Sequence, residues 1–234
     1  MEEKLFNKGF ITITLINFIV YLVYYLMMVI IAVIAHDQLH ASFGQAGLAS
    51  GIYIIGTLVA RLIMGKELEI IGRKRVARWG AIFYLITTAA YMFVPTIAIL
   101  DTVRLLNGFA YGMTSTALNA IVTEFIPEQR KGEGINYYGL STSLAAAIGP
   151  FIGLLLLNAT SFHFIVILSV VLIALSMLAL FAIQINNVVL TPEHLAELKS
   201  WKVSSFIEYK VLLIAFIGFL MGLSYSSVLS FLAS

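Results

Sequence analysis

The sequence predicts an all-α fold, a polytopic transmembrane helical bundle, on three observations. Of its 234 residues, 61% are hydrophobic and 11% charged, against about 45–50% and 25% in soluble domains, and the mean hydropathy is +0.99. The apolar residues fall into seven runs, each near or above the ~20 residues an α-helix needs to cross a hydrocarbon core of ~30 Å. Lys and Arg gather in alternate connections between those runs, the pattern of connections retained on the cytoplasmic face. The net charge of +2 is small and the basic residues form no stripe, so nucleic-acid binding is not expected. With no cysteine, disulfides and thiolate metal sites are excluded.

The first run, 10–34, follows a short start carrying Glu2, Glu3, Lys4 and Lys8. It has no Ala-x-Ala cleavage pattern and is too long for the core of a signal peptide, so a retained first helix is expected. At ~1.5 Å per residue it spans ~37 Å, which predicts a tilt or an extension into the headgroups. The next runs are 46–64 and 76–94, joined by the charge-dense stretch 65–75, which reads as a short cytoplasmic loop. A turn at Pro95 leads to the run 97–123, a connection with Arg130 and Lys131 leads to 134–157, and a bend over 158–161 leads to 162–183. The connection with His36, Asp37 and His40 carries no Lys or Arg, nor do the Pro95 turn and the 158–161 bend, so these face outside. A polar interval over 186–208 separates the sixth run from the seventh, 209–232. Within it Thr191, Pro192 and Glu193 have the order of an N-cap, a first-turn proline and a dipole-stabilising acid, and predict a short surface helix. Ser205 and Glu208 have capping-box spacing ahead of the seventh helix.

Polar residues inside apolar runs are the candidates for function. On the fourth run Arg104, Asn107, Tyr111, Ser115 and Asn119 recur every three or four residues and share one helix face. An Arg near the bilayer centre costs about 2.5–3.5 kcal/mol on the insertion scale, so this face is expected to line a wet cavity or to bond neighbouring helices. Asp101, one turn before Arg104, has the spacing of an i,i+3 ion pair, either interfacial or proton-handling. On the first run Asn17, Tyr21, Tyr24, Tyr25 and Met28 form an aromatic-polar stripe that suits an amphiphilic ligand or helix packing. That run has no Asp or Glu. Arg61 is expected to snorkel to the inner face. Gly108 and Gly112, and on the fifth run Ala145, Gly149 and Gly153, have small-xxx-small spacing for close helix approach, with Pro150 expected to kink its helix. His36 and His40 are too sparse for a metal site. No phosphate loop, zinc-protease pattern or nucleophile elbow is found, so no enzyme activity, cofactor or ATP coupling is expected.

Three of these stretches carry a family resemblance. Gly65, Gly72, Lys74 and Arg75 are similar to the G-x-x-x-D-[RK]-x-G-x-[RK]-[RK] pattern of the major facilitator superfamily, with Glu69 in place of Asp and Ile70 in place of a basic residue. Arg104, Asn107 and Gly108 resemble its R-x-x-Q-G signature, with Asn107 in place of Gln. Ala145, Gly149, Pro150, Gly153 and Leu154 resemble the g-x-x-x-G-P-x-x-G-G motif of exporter and antiporter branches, with Ala145 and Leu154 as departures.

The resemblance implies the drug/metabolite exporter-like branch: an amino-terminal six-helix bundle over 1–185, a cytoplasmic linker over 186–208, and over 209–234 the first helix of a second bundle, truncated there. It implies a secondary transporter in the cell membrane of a bacterium, multi-pass with a cytoplasmic amino terminus, exporting small amphiphilic or metabolite-like molecules by proton antiport. The partners expected are a small-molecule substrate, protons and membrane lipids. Gly65, Glu69, Gly72, Lys74, Arg75, Gly149, Pro150 and Gly153 would serve conformational change; Arg104, Asp101, Asn107, Tyr111, Ser115, Asn119, Asn17, Tyr21 and Tyr25 would serve substrate or coupling. A uniporter or importer of the same fold, or a non-transporting scaffold or receptor, are the alternatives.

Overall fold

The computed structural model describes residues 4–185 and 212–221, and all regular structure among them is helical. The chain divides into two compact units, Met1–Val189 and Leu190–Ser234. In the second, the described residues form one helix, Leu212–Met221, within the predicted seventh run. The expected linker, with Thr191, Pro192, Glu193, Ser205 and Glu208, lies outside the described residues.

The first unit is a bundle of six long helices: α1 Lys8–Asp37, α2 Phe43–Ile71, α3 Arg73–Ala90 extended by a 3-10 turn Tyr91–Phe93, α4 Ile97–Val122, α5 Lys131–Ala159 and α6 Phe162–Ala182. Four begin on side-chain caps that occupy otherwise orphaned amides. Asn7, Thr96 and Ser161 accept from Phe10 N, Ile99 N and Phe164 N, and Ser42 forms a reciprocal capping box with Gln45. These caps start α1 and α2 two or three residues earlier than hydropathy alone predicts.

The stretch 65–75 is not a loop. α2 runs through Gly65 to Ile71, and one residue, Gly72, separates it from α3. Gly72 has φ 97° and ψ 127°, a conformation that L side chains rarely adopt. Charge misled the reading here because Lys66, Glu67 and Glu69 are ordinary helix formers. Pro150 lies inside α5, which continues unbroken to Ala159.

Among the described residues, α1, α2, α3, α5 and α6 are long and apolar enough to cross a membrane. The 26-residue α4 does not join them on composition, because its polar residues face protein instead of lipid. It packs against α1, α2 and α3 and is the centre of the bundle. Its closest neighbour is α2. An added Cβ at Gly56 would meet the Leu105 carbonyl, one at Gly108 the Tyr53 carbonyl, and one at Gly112 would lie 2.7 Å from Thr57 O. Backbones can approach this closely only across glycine. Outermost, α6 buries one stripe, Phe162, Ile165, Val166, Ser169, Ile173, Ser176 and Leu180, against α1 and α3, while Phe164, Ile167, Leu175 and Leu178 point outward.

Candidate functional site

Arg104 is fully buried in the α2–α4 contact. Its Nε donates to Ala49 O at 2.9 Å, and longer bonds of 3.4 Å run from its Nη atoms to Ser50 O and to the Tyr91 hydroxyl. The guanidinium carbon lies 4.4 Å over the Tyr53 ring. Hydrogen bonds from a charged donor contribute about 1.5–3 kcal/mol each and a desolvated cation–π contact about 2, enough to offset the insertion cost of the charge. One turn on, Asn107 donates to the Thr87 and Thr88 hydroxyls at 2.9 and 3.1 Å and accepts from Tyr91 at 3.3 Å. Together these groups bolt α2, α3 and the 3-10 turn to α4. The expected Asp101–Arg104 ion pair is not formed: Arg104 spends its donors on α2 and Tyr91, and Asp101 Oδ1 is buried with no hydrogen-bond partner.

Beside this cage lies a cluster of tyrosines. Tyr24 stacks on Tyr53 and on Tyr111 with centroids 5.2 and 4.8 Å apart, Tyr21 meets Tyr111 edge-on at 5.4 Å, Tyr24 and Tyr25 lie 4.7 Å apart, and Tyr84 closes the far side of Tyr111 at 6.1 Å. Such pairs contribute about 0.5–1.5 kcal/mol each beyond their buried area. The cluster opens on a cleft of about 350 Å³ lined by Tyr21, Tyr24 and Tyr25 from α1, Ile54, Thr57 and Arg61 from α2, and Tyr111 from α4. Arg61 therefore stands on the cleft wall, a position its sequence context did not reveal.

A third polar group ties α1 to α5. Asn17, fully buried, donates to Ser141 Oγ at 2.9 Å and to Thr142 Oγ1 at 3.0 Å, and accepts from Tyr138 at 2.8 Å. Tyr138 also lies 2.9 Å from Asn119 Oδ1. One phenolic proton cannot serve two acceptors, so with Asn17 engaged the Asn119 amide satisfies Tyr138 best when turned to present its NH₂. The small residues on α5 form the rest of this seam. Ala145 is fully buried, a Cβ at Gly149 would lie 2.7 Å from Tyr25 Cβ, and one at Gly153 would lie 2.9 Å from Leu26 O.

At the basic end, Arg73 holds Glu69 at 2.6 Å, Ala120 O at 3.1 Å and Glu124 at 3.3 Å, so the α2–α3 junction is tied to the end of α4. Lys74 and Arg75 form no ion pair among the described residues, and Gly65 has nothing within 4 Å of an added Cβ. Arg78 donates to Phe181 O at 3.3 Å and lies over its ring, joining α3 to α6.

The structure thus divides the α4 stripe. Tyr111 joins Tyr21 and Tyr25 at the cleft; Arg104 and Asn107 belong to the α2–α3–α4 contact; Ser115 is buried and donates to Gly112 O; Asn119 joins Asn17 at α5. Arg73, Glu124, Tyr138 and Gly56 were missed as partners, and Arg61 as a residue of the cleft wall. Arg73 was legible from its i,i+4 spacing to Glu69, whereas Glu124 and Tyr138 are distant in sequence from what they touch.

Residues 13–234 match the family profile described as Major Facilitator Superfamily. Multidrug resistance protein 3 of Bacillus subtilis is 26% identical over 136 residues, 58% of this chain and 27% of that protein. Multidrug resistance protein MdtL of Escherichia coli is 26% identical over 148 residues, 63% of this chain and 38% of its own length. Among solved structures, the peptide transporter POT in complex with sulfate has a TM-score of 0.71 at 17% identity, over 93% of this chain and 46% of that one. The human organic anion transporter MFSD10 has a TM-score of 0.60 at 18% identity, over 74% and 46%. The chain spans about half the length of these solved transporters and 27–38% of the two curated relatives. With a profile that runs from the first helix to the last residue and a fold shared with solved transporters, the chain belongs to the Major Facilitator Superfamily.

Proposed function

We propose that this chain works as the amino-terminal helical bundle of an alternating-access secondary transporter of the cell membrane, exporting small amphiphilic molecules in exchange for protons. The observation that carries the reading is the tyrosine cleft, walled by α1, α2 and α4, at a size typical of small-molecule sites, roughly 300–1,000 Å³. Relatives named multidrug resistance proteins support export, as does the Ala145–Gly149–Pro150–Gly153 seam that lets α5 press on α1. Asp101 offers an unpartnered carboxylate oxygen inside α4 and is the residue proposed to exchange the proton. The amino terminus and the Arg73 end of the bundle face the cytoplasm, with Gly72 and the Glu69–Arg73–Glu124 contact as the element that holds one conformer.

The test is substrate-driven proton movement in proteoliposomes bearing the transporter, with lipophilic dyes as substrates. Uptake of dye against a proton gradient that Asp101→Asn abolishes would support antiport. A second reading, facilitated uniport, is favoured by one observation: among the described residues, no carboxylate lines the cleft. Dye movement that is indifferent to pH in the wild type would select it, and absence of any dye movement would leave the scaffold reading.

A further inference from the structure

We infer that the tyrosine cleft selects organic anions, and that Arg61 is the group that recognises their charge. The inference rests on reading the cleft as the substrate site, and adds the substrate class. Arg61 stands ten residues before the end of α2 at Ile71, ~15 Å along the helix axis and far from the interfacial turn. It shares the cleft wall with Tyr21, Tyr24, Tyr25 and Tyr111. Among the described residues it has no hydrogen bond and no ion pair, unlike the other arginine deep in a helix, Arg104, which two carbonyls and a hydroxyl enclose. Thr57, also on the wall, is already committed, with Tyr53 O and Gly108 O both 3.0 Å from its hydroxyl.

Among the described residues, the cleft therefore holds one guanidinium and no carboxylate within an aromatic wall. A guanidinium pairs best with a planar anion, since its parallel N–H groups match both oxygens of a carboxylate or sulfonate. The tyrosine faces add stacking for a flat apolar body. A cationic amphiphile would instead meet like charge, with no acid among the described lining residues to neutralise it. The complementary ligand is an aromatic carboxylate or sulfonate, amphiphilic and singly charged.

Isothermal titration of the purified protein in detergent micelles with naphthoate, naphthamide and naphthylmethylammonium tests this, because the three share one ring system and differ in charge. Naphthoate should bind roughly tenfold or more tighter than naphthamide, the effect of one charge-assisted hydrogen bond, and the ammonium weakest. Arg61→Gln should bring naphthoate to the affinity of naphthamide, and Arg61→Lys should keep part of the difference. The comparison of probes on the wild type needs no variant: equal binding of acid and amide, preference for the ammonium, or no binding of naphthoate overturns the inference. So does an acid preference that survives Arg61→Gln. Acid-selective, Arg61-dependent binding by a protein that moves no solute would sink the transport reading alone, and transport without charge preference would sink only the present one.

Discussion

Arg104 and Arg61 carry the same charge on adjacent helices and meet opposite surroundings. Arg104 fills a closed cage of backbone carbonyls, a hydroxyl and a ring, so its removal leaves acceptors without donors inside the bundle. Arg104→Ala is expected to cost about 2–4 kcal/mol, read as a lower midpoint of thermal unfolding in detergent, with Arg104→Lys intermediate because an ammonium lacks the planar fork. Arg61→Gln should leave that midpoint unchanged within error, since among the described residues Arg61 forms no hydrogen bond and no ion pair. If the two alanine and glutamine variants melt alike, the assignment of the two arginines to different tasks is wrong. Gly72 poses a simpler question. At φ 97° any side chain is strained, and Gly72→Ala should destabilise by about 1–2 kcal/mol without altering probe affinity at the cleft.

Helices here meet by two devices, close backbone contact and polar ties, and the two respond differently to substitution. Gly56, Gly108 and Gly112 set the α2–α4 spacing, where a β-carbon would collide with carbonyl oxygens on the facing helix. Gly108→Val should therefore abolish the folded, monodisperse species on size-exclusion chromatography. Gly65, on the same helix as Gly56, faces open space, so Gly65→Ala should fold normally and melt at the same temperature or higher, by up to ~1 kcal/mol of helix propensity. A melting loss at Gly65→Ala would mean that this position is packed. The Arg73–Glu124 tie joins elements far apart in sequence with both side chains about four-fifths buried. A double-mutant cycle on Arg73→Gln and Glu124→Gln should return a coupling of about 0.5–1 kcal/mol, and a coupling of zero would reduce the contact to proximity.

At the scale of the molecule, the ends of the bundle differ in charge. The Lys4–Lys8 start, the Arg73–Arg75 junction and the Arg130–Lys131 turn carry the basic residues, while His36, Asp37 and His40 mark the opposite connection. With no cysteine in the sequence, single cysteines at His40 and Gly132 report sidedness directly. An impermeant maleimide added to intact cells should label His40→Cys and spare Gly132→Cys until the membrane is opened. Labelling of Gly132→Cys from outside would invert the proposed orientation. Both positions suit the test: an added side chain at Gly132 meets nothing within 4 Å, and His40 is exposed in the short connection between α1 and α2.

The sequence by itself determined the helical class, the approximate positions of the first six helices and the family, because run length, composition and short motifs are local properties that add along the chain. It singled out α4 for its polar stripe, since polar residues inside a span must find partners. What it could not determine is which partners. Arg104 and Asp101 had the spacing of a pair, yet Arg104 donates instead to Ala49 O at 2.9 Å and Ser50 O at 3.4 Å on α2, which a glycine-mediated helix contact holds in reach. The stretch 65–75 read as a loop because charge was taken for exposure, whereas a single glycine of positive φ was enough to end one helix and begin the next. Arg61 and Gly65 sit four residues apart on one face of α2, and only the packing of that helix against α1 and α4 decides that Arg61 lines a cleft while, one turn further on, a Cβ added at Gly65 meets nothing within 4 Å. Where along a helix its neighbours press is set by the sum of contacts distant in sequence, so it belongs to the tertiary structure alone.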